Sequence, residues 1–496
     1  MAIPAITAKK IWFFGFFFVT LQKISCASAI EASSIAFGLH YLCRKKQTNN
    51  NDMKLKSLVL TSLLALQATG LGTIATAQTC KEDFKRDAYL AGSNYVAYPG
   101  PKGTLTPAPK GYEPVYLSHY GRHGSRYHIG SVYGNVYGLL QHADSADVLT
   151  PTGKTLMKQV RMLKDEAAGR DGELTELGAQ QHRQIAERMY RNFPEIFAKK
   201  THIDAKSTIV IRCILSMENA LLQLKGMNPQ LDISHDASHH DMYYMNQNAD
   251  DMYKYKKAAV DSVGTAFTES HTHPERLMQQ LFTSETYWKD SIDAKALMQN
   301  IFKLAMNVQS SEIRHSLNMT DYFTQEELYD LWQTKNVFWY LTYGPSSYSR
   351  GLQPYSQRNL LSNIISEADS CLALDNCGAT LRYGHDTMVM PLTCLLELDD
   401  TDRDIPDLNT LAEQEWCDYR IFPMACNLQF VFYRSKGAKA GTADKDSRGK
   451  DILVKILHNE NEARLPLATD SWPYYKWSDV KAYYTKKLED FKKVSY

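Results

Sequence analysis

Two arginines bracket a histidine in the stretch Tyr116-Leu117-Ser118-His119-Tyr120-Gly121-Arg122-His123-Gly124-Ser125-Arg126-Tyr127. A guanidinium is a planar fork of donors that matches phosphate oxygens in pairs. Arg122 and Arg126, on a tight glycine-containing turn, would aim two such forks at one point. The imidazole of His123 between them is a nucleophile able to take a phosphoryl group. Far downstream, Leu381-Arg382-Tyr383-Gly384-His385-Asp386-Thr387 repeats the arrangement: a short apolar run, a glycine, then polar groups. Here His385 can donate to a phosphate oxygen and Asp386 can protonate a leaving alkoxide. Cleaving a phosphomonoester through a phosphorylated enzyme needs this set of nucleophile, cationic forks and acid. Taken singly, each motif has a plainer reading, a solvated loop or a His-Asp turn or helix cap.

The elements around them follow from periodicity. A run containing Val115, Tyr116 and Leu117 reads as a buried strand that empties into the first motif. Residues 81–114 carry Pro99, Pro101, Pro107, Pro109 and Pro114 among glycines, which reads as an extended lead-in rather than a packed element. Residues 152–168 and 175–197 read as helices, the second capped by Thr175 and lined by Ile185, Met189 and Phe193. Thr208-Ile209-Val210-Ile211 reads as a buried β-run followed by a helical pattern over 216–225. The span 235–345 is rich in Met and Tyr, with amphipathic patterns over 287–308 and 325–339, and reads as a mainly helical inserted domain. Mixed α/β patterning then returns. A helix is expected over 352–372, a β-run over 380–383, strands over 427–434 and 452–457, and a Tyr-rich helix over 472–491. There is no internal repeat or coiled coil. The expected class is α/β, with residues 78–234 and 346–496 as the two parts of one domain around the 235–345 insertion.

The chain has 496 residues and a net charge of +1, which argues against nucleic acid or an acidic surface as its main partner. Residues 1–52 read as an extension from an upstream start codon. A second start at Met53 opens a better export signal: Lys54 and Lys56, an apolar run from Leu58 to Leu71, and Ala75-Thr76-Ala77 as a cleavage site. The expected product is an exported protein, periplasmic or secreted, beginning near Gln78, with no membrane span after cleavage. Nine cysteines are present, and setting aside Cys26 and Cys43 leaves seven. Cys371 with Cys377 and Cys417 with Cys426 have loop-closing spacings, while Cys80, Cys213 and Cys394 remain. His235, His239 and His240 sit in a polar stretch and read as solvated rather than metal-bound. His128, Lys225 and Arg358 read as surface charges.

The paired motifs resemble the histidine acid phosphatase family, the branch of the histidine phosphatase superfamily that contains phytases, glucose-1-phosphatases and multiple inositol polyphosphate phosphatases. The likeness runs from about residue 84 onward. Gly172-Glu173-Leu174-Thr175-Glu176-Leu177-Gly178 is similar to the family's L-T-x-x-G segment, and 427–429, 453–455 and Leu465-Pro466 are similar to its C-terminal strands. The resemblance implies a central, mostly parallel sheet with flanking helices, an inserted smaller helical domain, and a site at the carboxyl ends of the strands. It implies His123 as the phosphohistidine nucleophile and Asp386 as proton donor and then base for water. Arg122, Arg126 and His385 would hold the phosphoryl group. The family's R-S-T-x-x-x-R is spelled Lys206-Ser207-Thr208-Ile209-Val210-Ile211-Arg212 here. Lys206 would then stand for the third phosphate fork with its charge kept but its bidentate geometry lost, and Arg212 could be structural or could compensate, with the structural role favoured. Tyr127 stands where many members have proline.

An acidic optimum is expected, with a protonated Asp386, and no metal or other cofactor, since arginines supply the charge a metal would. The first expected substrate is phytate or a lower inositol polyphosphate. The His385-Asp386-Thr387 spelling resembles bacterial phytases and sugar phosphatases, whereas the inositol polyphosphate branch often uses His-Ala-Glu. The lead-in and the R-H-G-S-R-Y spelling instead resemble bacterial relatives of inositol polyphosphate phosphatases. The alternatives are therefore a sugar-phosphate or broad-specificity phosphatase, and a phospho-ligand-binding relative with impaired catalysis.

Overall fold

In the computed structural model, which describes residues 79–246 and 250–493, one eight-stranded sheet organises the chain. Its strands are β1 (Tyr112–Arg122), β2 (His202–Ser207), β3 (Asp232–Asp236), β4 (Cys377–Gly384), β5 (Asn427–Ser435), β6 (Leu453–His458), β7 (Asn461–Glu462) and β8 (Tyr475–Lys476). The spatial order is β3-β2-β4-β1-β5-β6-β7, with β8 beside β6. From β3 to β1 neighbours are parallel; β5 onward is antiparallel. Every residue of β5 is buried, as expected for a strand covered on both faces. Alternation along β1 sends Tyr116 to a core with Phe432, Met388 and Trp477, and Leu117 to the opposite core with Ile185, Ile203 and Val431.

Helices occupy the span after β3, including Ala294–Asn307 and Gln325–Tyr343. Their apolar faces share one core with helices Val132–Ser145 and Pro151–Glu166: Ile301, Leu277 and Trp332 pack with Val136, Leu156 and Phe84. The expected signal peptide and upstream extension lie outside the described residues. No described helix is long and apolar enough to cross a membrane.

Four expectations are overturned. The lead-in is not wholly extended: Cys80–Arg86 is an α-helix closed by a Thr79/Glu82 capping box, and Ala88–Tyr95 is 3-10 helical. All its prolines lie after this segment, so the composition described only its second half. Thr208–Ile211 is not a strand. The ladder stops at Ser207 because β4 itself ends at Gly384, and after Thr208 N–H donates to Tyr383 O (3.0 Å) there is no strand left to pair. The chain turns into the helix Ile211–Met227, leaving Ile211 67% exposed. Finally, Cys417 does not face Cys426. Its sulfur lies 2.8 Å from that of Cys80, with both side chains buried, while the Cys426 carbonyl accepts from the Arg122 N–H. The side chain of Cys377, expected to pair with Cys371, is outside the described residues. His128 also differs from its reading as a surface charge: it is 2% exposed, with Nε2 on the Lys303 carbonyl (2.9 Å).

Candidate active site

Strands β1 and β4 are adjacent and parallel, with Arg122 opposite Gly384, so both motifs leave the sheet at the same end. The His123 N–H donates to Gly384 O (2.9 Å), and the rings of His123 and His385 stand 5.8 Å apart at 73°. The loop after β1 is held from one side by helix Glu176–Asn192. Ser125 N–H donates to Gln181 Oε1 (2.9 Å), and the Ser125 carbonyl accepts from Thr175 N–H (3.0 Å). Backbones touch there: a Cβ added at Gly178 would lie 2.2 Å from Ser125 O, and one at Gly124 2.4 Å from Gly178 O. These two glycines explain the spelling of both segments. Gly178→Ala is expected to destabilise the fold by about 3 kcal/mol or more, because backbone, not a flexible side chain, must shift. Urea denaturation checks this.

His123 is 2% exposed. Its Nδ1 lies 2.8 Å from Gly124 O, an acceptor only, so Nδ1 carries the proton and Nε2 keeps the lone pair for attack. Burial, then the charges of Arg122, Arg212 and Arg126, holds this imidazole well below its usual range, so it is neutral at acidic pH. Arg122 is fully buried; Nη1 donates to Asn94 O (2.7 Å) and Phe422 O (3.1 Å), and Nη2 pairs with Asp386 Oδ2 at 2.8 Å. Arg126 gives Nη1 to Tyr127 O (2.9 Å) and lies over the Tyr95 ring at 5.7 Å. The Nε atoms of Arg122, Arg126 and Arg212 are all buried without a partner. Three desolvated guanidiniums facing one histidine, with one carboxylate among them, leave positive charge for an anion to neutralise.

His385 caps the N-terminus of helix Asp386–Leu395, with Nε2 3.3 Å from Thr208 Oγ1. Burial and Arg212 push it down to about 4. Burial alone would raise the Asp386 carboxyl, but Arg122, an Asn94 hydrogen bond (3.0 Å) and Arg126 hold it at about 2. The free protein therefore carries Asp386 ionised, unlike the protonated acid expected from its role.

The structure brings together His123, Arg122, Arg126, His385 and Asp386. Lys206 is on β2, opposite Arg382, with its ammonium 3.5 Å from Asp241. Arg212, read from sequence as structural, stands in the site. Asn94 and Tyr95 were missed, and only their place at the end of a short helical segment preceding the prolines could have hinted at them.

A family model described as Histidine phosphatase superfamily (branch 2) matches residues 121–459. The Bifidobacterium longum multiple inositol polyphosphate phosphatase, solved with inositol hexasulfate, is similar with a TM-score of 0.66 at 19% identity, over 80% of this chain and 98% of that one. Its phosphate complex gives 0.65 at 20% identity, over 80% and 98%. The phytase from D. castellii gives 0.57 at 14% identity, over 81% and 85%. Likeness at these identities is one of fold. No curated protein matches the chain.

Proposed function

The chain belongs to branch 2 of the histidine phosphatase superfamily, and from that premise we propose that it is an exported phosphomonoester hydrolase acting on inositol polyphosphates through a phosphohistidine. The observation that carries this is His123 itself: neutral, with Nδ1 committed to Gly124 O, ringed by Arg122, Arg126 and Arg212, and with Asp386 held by Arg122. In the first step Nε2 of His123 attacks phosphorus, and the ester P–O bond breaks as Asp386 gives its proton to the leaving oxygen. In the second, Asp386 takes a proton from water as the oxygen attacks phosphorus and the N–P bond breaks. The arginines and His385 stabilise the equatorial oxygens throughout. Inositol polyphosphate is favoured among substrates because the B. longum structure of similar fold holds inositol hexasulfate.

The test is phosphate release from phytate and glucose 1-phosphate near pH 5 with EDTA present, comparing the chain with His123→Ala. Release that survives EDTA and disappears in the variant is expected, with phytate the better substrate. A preference for glucose 1-phosphate would move the reading to a sugar phosphatase. Folded protein that binds phosphate but releases none from either ester would overturn the hydrolase reading.

Export is supported by the 53–77 signal pattern and by the buried Cys80–Cys417 contact, which joins helix Cys80–Arg86 to a loop 337 residues on. In an oxidising compartment this pair should form a disulfide. Non-reducing peptide mass spectrometry of the exported chain should find Cys80 and Cys417 in one cross-linked species. Its reduction should cost about 2–5 kcal/mol of stability. Recovery of both cysteines as alkylated thiols would reject the link.

A further inference from the structure

Asn94 touches both members of the Arg122–Asp386 pair without itself being acid, base or nucleophile. Its backbone carbonyl accepts from Arg122 Nη1 (2.7 Å), and its side-chain Nδ2–H donates to Asp386 Oδ2 (3.0 Å). Arg122 Nη2 lies 2.8 Å from the same oxygen. The other carboxyl oxygen, Oδ1, accepts among the described residues only the N–H of Thr387 (2.9 Å). Each carboxylate oxygen has two lone pairs, so Oδ2 has a donor for both while Oδ1 keeps one unused. Neither a guanidinium nor an amide NH2 can accept a hydrogen bond, and a proton on Oδ2 would be pressed against donors. A proton on Oδ1 meets no such conflict.

The local chain is built to aim this amide. Ser93, one residue earlier, stands at φ 55° and ψ −127°, a conformation that favours glycine and is unfavourable for any side chain. Its hydroxyl holds it there by donating to Asp418 Oδ2, with both residues buried. The Asp418 carboxylate is fixed in turn by Trp332 Nε1 (2.8 Å) and the Tyr419 N–H (2.7 Å). Arg122 Nη1 bridges the carbonyls of Asn94 and Phe422, so the Asn94 backbone stays seated whatever its side chain. A strained residue with a buried anchor, directly before a side chain that meets the reacting carboxyl, marks a device for placing that side chain. Phosphate competes for Arg122 once substrate is bound. Asn94 carries no charge for it to draw away, and is the donor that remains on Oδ2.

We infer that Asn94 is a positioning residue that keeps the acid proton of Asp386 on Oδ1, the oxygen that passes it to the leaving group. As the ester P–O bond breaks, its electron pair stays on the leaving oxygen, which takes the proton while the Oδ1–H bond breaks. In the second step Oδ1 takes a proton from the attacking water. Without the amide, Oδ2 becomes a competing seat for the proton, facing Arg122 and the 88–95 segment. This rests on the hydrolase reading for its use in turnover, though not for where the proton sits. The test compares the full chain with Asn94→Leu, which removes the donor at similar volume, and Asn94→Asp, which puts an acceptor against Oδ2. For glucose 1-phosphate, kcat should fall about ten- to a hundredfold in both, a part of the ~10²–10⁴ that acid catalysis supplies. For p-nitrophenyl phosphate, whose leaving group departs without a proton, the loss should stay under about threefold.

A second readout needs no turnover. Carbon-13 NMR of the aspartate carboxyls, with Asp386 assigned through Asp386→Asn, should show Asp386 titrating at higher pH in Asn94→Leu, because a donor to its ionised form has gone. A move to lower pH would mean that Asn94 accepts a proton from Oδ2, and would overturn the assignment. Equal losses on the two esters in a folded variant would also overturn it, since they would indicate damage to the site as a whole. Should Asn94→Leu fail to fold, Asn94→Asp alone must show the same split between esters. If the parent hydrolyses neither ester yet Asp386 titrates higher without Asn94, the hydrolase reading fails and the proton placement stands. If hydrolysis proceeds and neither kinetics nor titration responds to Asn94, the reverse holds.

Discussion

Arg212→Ala is expected to lower kcat/KM for a phosphomonoester by about a hundred- to a thousandfold, the cost of removing one donor aimed at developing charge, whereas Lys206→Ala should stay within about threefold. Arg212 is the second-largest charge acting on His123 and the largest acting on His385, and its Nε is buried with no partner. A cation so placed, in the first turn of helix Ile211–Met227, is unfavourable against the positive end of the helix unless an anion sits before it. Lys206 has Asp241 instead, in a pair that is 29% exposed on the lysine side, and such pairs contribute about 1 kcal/mol or less to stability. Arg212→Lys separates charge from geometry: the ammonium keeps the attraction but loses the fork, so an intermediate loss is expected. Steady-state kinetics of the three variants decide the matter. A Lys206→Ala loss as large as that of Arg212→Ala would return the third cation to Lys206.

These two residues show where the sequence stops being readable. Arg122, His123, Arg126, His385 and Asp386 could be found because each motif concentrates its chemistry within five residues at the end of an apolar strand, and adjacency in the sequence becomes adjacency in space. The segment from Lys206 to Arg212 has no such signal. Its β-branched run Thr208–Ile211 has the composition of a strand, while the true strand His202–Ser207 carries His202, Asp204 and Lys206 on one face. Only the end of β4 decides where β2 stops, and that is a tertiary fact. The central strands, the Thr175 cap and the C-terminal strands were legible because burial on both faces or a cap residue marks them locally. The Cys80–Cys417 contact was not, since spacing favours short loops and this one closes over 337 residues. The site's reach to Asn94 and Tyr95 depends on how the segment Ala88–Tyr95 packs against the ends of the strands, and no local pattern encodes that.

Asp386→Asn should lower kcat for inositol or glucose phosphates by about a thousand- to ten-thousandfold, but for p-nitrophenyl phosphate by only about tenfold, because nitrophenolate departs without a proton. In the free protein Asp386 is ionised. Its folded value of about 2 lies below the ordinary 3.8, so the Arg122 pair stabilises the fold fully above 3.8 and that contribution is lost as pH falls toward 2. At pH 5 the free protein has no proton on Asp386 to give. The substrate can supply it: a phosphomonoester keeps one proton below its second pKa of about 6. When that phosphate enters, it competes for Arg122 and places negative charge beside the carboxylate, and both effects raise Asp386 until it takes the proton. For the parent, kcat/KM should therefore follow the monoanion and fall about tenfold per pH unit above pH 6, although the group that donates in the transition state has a free-protein value of about 2. His123, held neutral by burial and three arginines, adds no limb between pH 5 and 7. A series of aryl and alkyl phosphates measures the consequence directly. In Asp386→Asn the rate should depend steeply on leaving-group basicity, and in the parent only shallowly. Equal losses across the series would assign Asp386 to holding Arg122 rather than to moving the proton.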